Sequence, residues 1–141
     1  MKIECALPMK ILKWVYPEEL LSGDQSLLKH LWESLKANPF DATIEDLLDD
    51  LYEKRAVLWT WGTGVLMTST MSMPRGVALL VTNVAGKDYL SNIALIDHDL
   101  TLLAKNLACK WIYGQVENPG LVRVYAKRGA RPLYNVVRTV N

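Results

Sequence analysis

Cysteine, histidine and phenylalanine are scarce in this chain, and the first two scarcities each remove a class of explanation. Two cysteines, Cys5 and Cys109, and two histidines, His30 and His98, occur in 141 residues. The cysteines stand far apart with no ligand at metal-binding spacing. A zinc ribbon and a disulfide scaffold are therefore excluded, and both thiols read as buried or incidental, with no metal site expected. No run of about 18 apolar residues is available to cross a membrane as a helix. Lys2, Glu4, Lys10 and Lys13 are scattered through the first residues and Pro8 interrupts them, which does not match a secretory signal peptide. Internal repeats, low-complexity tracts and linkers are also missing, so residues 1–141 read as a single domain.

Half of the residues are hydrophobic and 22% are charged, the balance of a globular protein with a real core. The net charge of +1 hides a polarity. Residues 1–54 carry eleven acidic and six basic side chains, whereas residues 100–141 carry one acidic and seven basic. Such an asymmetry can orient a protein toward a charged neighbour or a second copy of itself, without demanding nucleic acid.

The hydrophobic pattern supplies the elements. Lys10–Val15 reads as an opening strand stopped by Pro17. Ser26 can cap a helix with Leu27, Leu28, Leu31, Trp32 and Leu35 on one stripe, ended by Asn38-Pro39. Thr43 with Asp46 three residues on is a capping-box pair for a second helix burying Ile44, Leu47, Leu48 and Leu51, with Glu45, Asp49, Asp50 and Glu53 solvated. From Ala56 the period becomes strand-like: Ala56–Trp61, a turn at Gly62-Thr63-Gly64, and Val65–Met71 form a hairpin. Gly76–Val84 is too continuously apolar for a half-wet strand and is expected in the centre of the sheet, covered on both sides. Residues 87–96 carry no clear start signal. A helix is expected from Asp99 through Leu100, Leu103, Ala104 and Leu107, then a strand over Lys110–Val116 and a last strand over Arg131–Val140.

Between those two strands lies Asn118-Pro119-Gly120-Leu121-Val122-Arg123-Val124-Tyr125-Ala126-Lys127-Arg128-Gly129. Asn118 suits a cap, Pro119 the first turn, and Gly129 the left-handed residue that closes a helix. Leu121, Val122, Tyr125 and Ala126 share one face, with the basic residues largely elsewhere.

The order of elements, with Asn118 and Tyr125 at the separation found in a frequent signature and Tyr125-Ala-Lys-Arg-Gly129-Ala130 as its ending, resembles the GCN5-related N-acetyltransferase superfamily. The implied fold is α/β, a mixed but mostly antiparallel central sheet with helices on both faces. A narrower resemblance over most of residues 41–140 is to small acetyltransferase-like proteins of bacteriophages. It is carried by the acidic helix before a Leu-Trp strand (Thr43–Trp59), the Thr-containing strand ending in Pro (Thr68–Pro74), Ala85-Gly86 and Ala104–Cys109. That likeness implies a host-cytoplasmic or virion setting, and phage structural or assembly proteins as partners.

In the superfamily the cofactor is acetyl-CoA. The resemblance implies Tyr125 as general acid for the leaving thiolate, against a plainer and preferred reading as a packed core aromatic with its hydroxyl satisfied, and Val84, Ala85, Gly86 and Asn118 as the residues around the cofactor if it binds. The pyrophosphate motif that should follow the central strand is not legible. After Val84 the chain reads Ala-Gly-Lys-Asp-Tyr-Leu-Ser-Asn, with one glycine and an acid where phosphates would sit. The strands Ala56–Trp61, Val65–Met71 and Val77–Val84 contain no Asp, Glu or His to serve as base.

The remaining polar or aromatic features have plainer readings. Asp97-His98-Asp99 cannot converge on a metal and reads as the polar start of a helix. Trp59, Trp61 and Trp111 read as core by default, and Met67, Met71 and Met73 as adaptable core or interface filling. With the cofactor loop and a base not legible, the expectation is an acetyltransferase-like protein without catalysis and needing no cofactor, and the phage resemblance implies a role in head assembly or DNA delivery. An active acetyl-CoA-dependent N-acetyltransferase is the alternative. Nucleic-acid binding through Arg123, Lys127, Arg128, Arg131 and Arg138 is a third and weaker expectation.

Overall fold

The computed structural model of the chain describes residues 7–23, 25–37, 41–114 and 119–131. Its elements run β1 (Lys13–Val15), α1 (Pro17–Ser22), α2 (Gln25–Ser34, continued by a 3-10 turn Leu35–Ala37), α3 (Ile44–Tyr52), β2 (Val57–Thr60), β3 (Gly64–Met73), β4 (Gly76–Gly86), α4 (Ile93–Asn106), β5 (Trp111–Gly114) and α5 (Pro119–Lys127). The strands form one sheet in the order β1-β2-β3-β4-β5. Every neighbouring pair is antiparallel except β4–β5, which is parallel and joined by the α4 crossover. This is the expected α/β architecture. Arg131–Val140 as a strand and Asn118 as a cap lie outside the described residues, apart from Arg131 itself, which is in no strand.

Alternation along the strands sends successive side chains to opposite layers. Leu58, Val65 and Met67 meet Leu20 of α1, Leu31 of α2 and Ile44, Leu47 and Leu51 of α3. Trp59, Trp61, Leu66, Leu79 and Val81 meet Ile96, Leu100, Leu103 and Ala104 of α4. Burying each such large apolar side chain contributes about 1.5–3 kcal/mol. Strand β4 lies between β3 and β5, as its unbroken apolar run predicts, with Leu79 and Val81 in the α4 layer. Helix α3 starts on its reciprocal capping box, with Thr43 Oγ1 accepting from the Asp46 N–H and Asp46 Oδ2 accepting from the Thr43 N–H.

Several boundaries differ from the sequence reading. Pro17 does end β1, but it also occupies the first turn of α1, a helix the sequence reading lacked. Strand β1 begins at Lys13 rather than Lys10. The N–H groups of Lys10, Ile11 and Leu12 turn away from the sheet and donate to the Asp99 carboxylate, each at 2.8 Å. Helix α4 begins six residues before Asp99, at Ile93, following turns that bond Asn92 to Asp88 and Ile93 to Leu90, and its N-cap Asn92 makes no side-chain capping bond. It ends at Asn106, leaving Leu107 exposed beyond it.

Candidate functional site

Of the residues the resemblance implies, Val84, Ala85 and Gly86 end β4 and Tyr125 lies on α5, where it meets Tyr89 of the segment between β4 and α4. Helix α5 is closed by a Schellman motif: the Ala130 N–H donates to the Tyr125 carbonyl, the Gly129 N–H to that of Ala126, and Gly129 has φ +91°. That cap fixes Tyr125 one turn from the end. Arg128 Nη2 then reaches Asp97 Oδ2 of α4 at 3.0 Å.

Tyr125 lies partly buried with its hydroxyl hydrogen-bonded to the Tyr89 hydroxyl. Tyr89 in turn meets Trp61 edge-on, with ring centroids 5.5 Å apart and planes at 62°. Burial pushes the Tyr125 phenol well above its ordinary value, and the neighbouring Tyr89 and Asp97 push the same way against Arg128. Burial raises Tyr89 too, opposed by its bond to Tyr125. Both phenols therefore stay protonated at neutral pH. In such a pair one O–H is committed to the other oxygen, and a phenol held far above the pKa of a thiol is a weak proton donor to a thiolate.

Val84, Ala85 and Gly86 form the end of β4. Val65 faces Ala85 and Met67 faces Thr82, so Leu66 alone opposes Asn83 and Val84: a β-bulge, with Asn83 at φ +51°. Gly86, at φ +125°, lies so close to the β2–β3 turn that a Cβ would fall 2.2 Å from Gly64 Cα. The next residue is stitched to the same turn. The Lys87 N–H donates to the Thr63 carbonyl at 2.9 Å, and the Lys87 carbonyl accepts from Trp61 Nε1 and Thr63 Oγ1, each at 2.8 Å.

Beyond it, Asp88 takes φ +60°, and its carbonyl accepts from the Asn92 N–H, Asn92 Nδ2 and Ser91 Oγ. A pyrophosphate needs several backbone N–H groups aimed outward at a helix start. Here the N–H groups of Lys87, Asn92 and Ile93 point back into local carbonyls, and an exposed carboxylate, Asp88, stands beside them. Those three N–H groups and the Asp88 carboxylate do not fit the pyrophosphate of acetyl-CoA. Asn118 lies outside the described residues.

The Asp97-His98-Asp99 triplet sits in the middle of α4 rather than at its polar start, and its members diverge. Asp97 pairs with Arg128, His98 is partly exposed, and Asp99 is fully buried beneath the N-terminal segment. Burial works against the Asp99 charge, but the N–H donors of Leu12, Lys10 and Ile11, with His98 Nδ1 at 3.1 Å, outweigh it and hold its pKa below the ordinary carboxylate value. Sequence reasoning missed this anchor. The available signal was an acid on the apolar stripe that also contains Ile96, Leu100 and Leu103.

Trp59 and Trp61 are core, with Trp59 Nε1 donating to Thr68 Oγ1 at 2.9 Å. Trp111 is 45% exposed, which corrects its reading as core: it lies on β5, the last strand of the described sheet. Met67 is buried, whereas Met71 and Met73 extend to the exposed end of β3. Ala126 is exposed rather than on a packed face. No group of three metal-capable side chains occurs among the described residues, and none of their helices is long and apolar enough to cross a membrane.

No protein-family model and no curated protein matches the chain. Its fold is nevertheless shared with solved acetyltransferase structures. A probable acetyltransferase superposes with a TM-score of 0.64 at 12% identity, over 94% of this chain and 99% of that one. A GCN5-related N-acetyltransferase from Ralstonia eutropha JMP134 gives 0.64 at 12%, over 92% and 97%. An aminoglycoside acetyltransferase from an uncultured soil metagenomic sample gives 0.62 at 15%, over 94% and 100%. At these identities the likeness is one of fold.

Proposed function

We propose that this chain keeps the acetyltransferase framework without its transfer chemistry and works through protein contacts, in head assembly or DNA delivery as the resemblance to phage proteins implies. The observation that carries the reading is the segment after β4. Where a cofactor loop would present its N–H groups, Lys87 is tied to Thr63 and Trp61, and Asp88 adds negative charge. Two further features support it. The Tyr125 hydroxyl is engaged by Tyr89, and strands β2, β3 and β4 hold no carboxylate or imidazole that could take a proton from an amine. Fold likeness alone supplies no function. Titration with acetyl-CoA, read by calorimetry together with release of free thiol, tests the reading.

One observation favours a second reading, an active acetyl-CoA-dependent N-acetyltransferase with an atypical cofactor loop. The bulge at Asn83–Val84 turns the end of β4 within a few residues of Tyr89 and its partner Tyr125, and bulges of this kind often sit beside active sites. On that reading Tyr125 is the proton donor, and Tyr125→Phe folds normally while losing acetyl transfer to an amine.

A further inference from the structure

The layer formed by α1, α2 and α3 has an outer surface that the acetyltransferase comparison leaves without a role. Both α2 and α3 bury their apolar stripes against the same sheet face, Leu31 from one and Ile44, Leu47 and Leu51 from the other. Their remaining faces turn to solvent with opposite charge. Along α2 and its 3-10 extension, Lys29, Trp32 and Lys36 follow one another at spacings of three and four, which puts them on one stripe, with the half-exposed Glu33 beside Trp32 leaving that face basic by one charge. Along α3, Glu45, Asp49 and Tyr52 do the same at spacings of four and three. All six are exposed, and each stripe includes a large aromatic, Trp32 at 54% and Tyr52 at 45% exposure. A groove of about 410 Å³ opens beside Trp32, between Lys29, Glu33, Leu35 and Lys36.

We infer that this layer is the interface of a two-fold symmetric dimer, in which the Lys29–Trp32–Lys36 stripe of one copy lies against the Glu45–Asp49–Tyr52 stripe of the other, and reciprocally. Charge complementarity selects a second copy as the occupant. A net-basic stripe with a central aromatic, its two lysines flanking Glu33, and an acidic stripe that also carries an aromatic, are present in the same chain on the same layer. That is the self-matching arrangement an isologous interface requires. The aromatics supply anchors of the kind that dominate interface energetics, Tyr52 seating in the groove beside Trp32. The charges set register and exclude the like-to-like pairing of α2 on α2.

The test is sedimentation equilibrium of the full chain and of two charge-reversed variants, Lys29→Glu/Lys36→Glu and Glu45→Lys/Asp49→Lys. The wild type is expected to dimerise, more weakly as salt is added. Each variant alone is expected to dissociate at least about tenfold more readily, since every contact now sets like charge on like. Mixing the two variants restores the dimer, because each then meets its complement in both halves. Trp32→Ser, which alters no charge, weakens dimerisation to a similar degree and covers the case in which a charge reversal disturbs folding. A wild type that stays monomeric up to about millimolar concentration overturns the inference. So does a dimer indifferent to all three variants, or a stripe that engages only an added acidic peptide or nucleic acid.

Discussion

The carboxylate of Asp99 accepts the backbone N–H of Leu12 at 2.8 Å across 87 positions of the chain, inside the core. With the donors of Lys10 and Ile11 it forms a three-bond anchor that fastens the segment preceding β1 onto α4. Among the described strands β1 pairs with β2 alone, so its attachment depends on this anchor as well as on that pairing.

Removing the anchor leaves three N–H groups without their acceptor. Asp99→Ala is expected to lower stability by about 3–5 kcal/mol, given roughly 1–3 kcal/mol for each buried donor left unsatisfied and partial rescue by water. Asp99→Asn retains an acceptor oxygen and costs less. Urea unfolding checks both, and hydrogen exchange of residues 10–12 should accelerate first.

The same carboxylate makes stability pH-dependent. Its pKa is lower folded than unfolded, so the unfolded chain binds the proton more readily and stability rises with pH through the acid range. The Asp99 contribution is fully present above the unfolded value of about 3.9 and is lost as pH falls through the lower folded value. Unfolding midpoints measured from neutral pH downward should fall more steeply below about pH 4 in the wild type than in Asp99→Asn.

Tyr89 and Tyr125 share one hydrogen bond, so their substitutions should not add. Tyr89→Phe and Tyr125→Phe are each expected to cost about 1 kcal/mol, and the double mutant about 0.5–1 kcal/mol less than their sum. An absorbance titration should show these two phenols ionising above the ordinary value of about 10. Because both are raised on folding, their contribution is present below that value and is lost as pH climbs through the folded range.

Two glycines around one turn should respond differently. Gly86→Ala places a methyl 2.2 Å from Gly64 Cα at φ +125°, so the β2–β3 turn or the end of β4 must shift, at a cost of several kcal/mol (roughly 1–3 for backbone strain alone). At Gly62, with φ +99° and nothing within 4 Å of the added methyl, alanine meets backbone strain only and costs about 1 kcal/mol. Thermal unfolding of the two variants separates the cases.

The fold was largely legible in the sequence because it follows from local signals. Thr43 and Asp46 announce α3, the Gly62–Gly64 turn announces the β2–β3 hairpin, and the unbroken run from Gly76 announces a strand inside the sheet. Where a residue serves two purposes, local reading fails. Pro17 ends a strand and begins a helix, and Asn92 starts α4 with its side chain turned back to the Asp88 carbonyl instead of capping the helix. The site was less legible still. The pairing of Tyr89 with Tyr125 spans 36 positions, and the fastening of Lys87 to Trp61 spans 26, so neither leaves a pattern in any short window. Asp99 alone left a trace, as an acid on an apolar stripe.

Calorimetric titration of the full chain with acetyl-CoA, run with a thiol-release assay over a panel of amines, tests the central claim most directly. The residues from Lys87 to Ile93 predict no binding in the micromolar range and no free thiol with any acceptor. Micromolar binding accompanied by amine-dependent thiol release, abolished in Tyr125→Phe, would contradict it and establish the chain as an acetyltransferase.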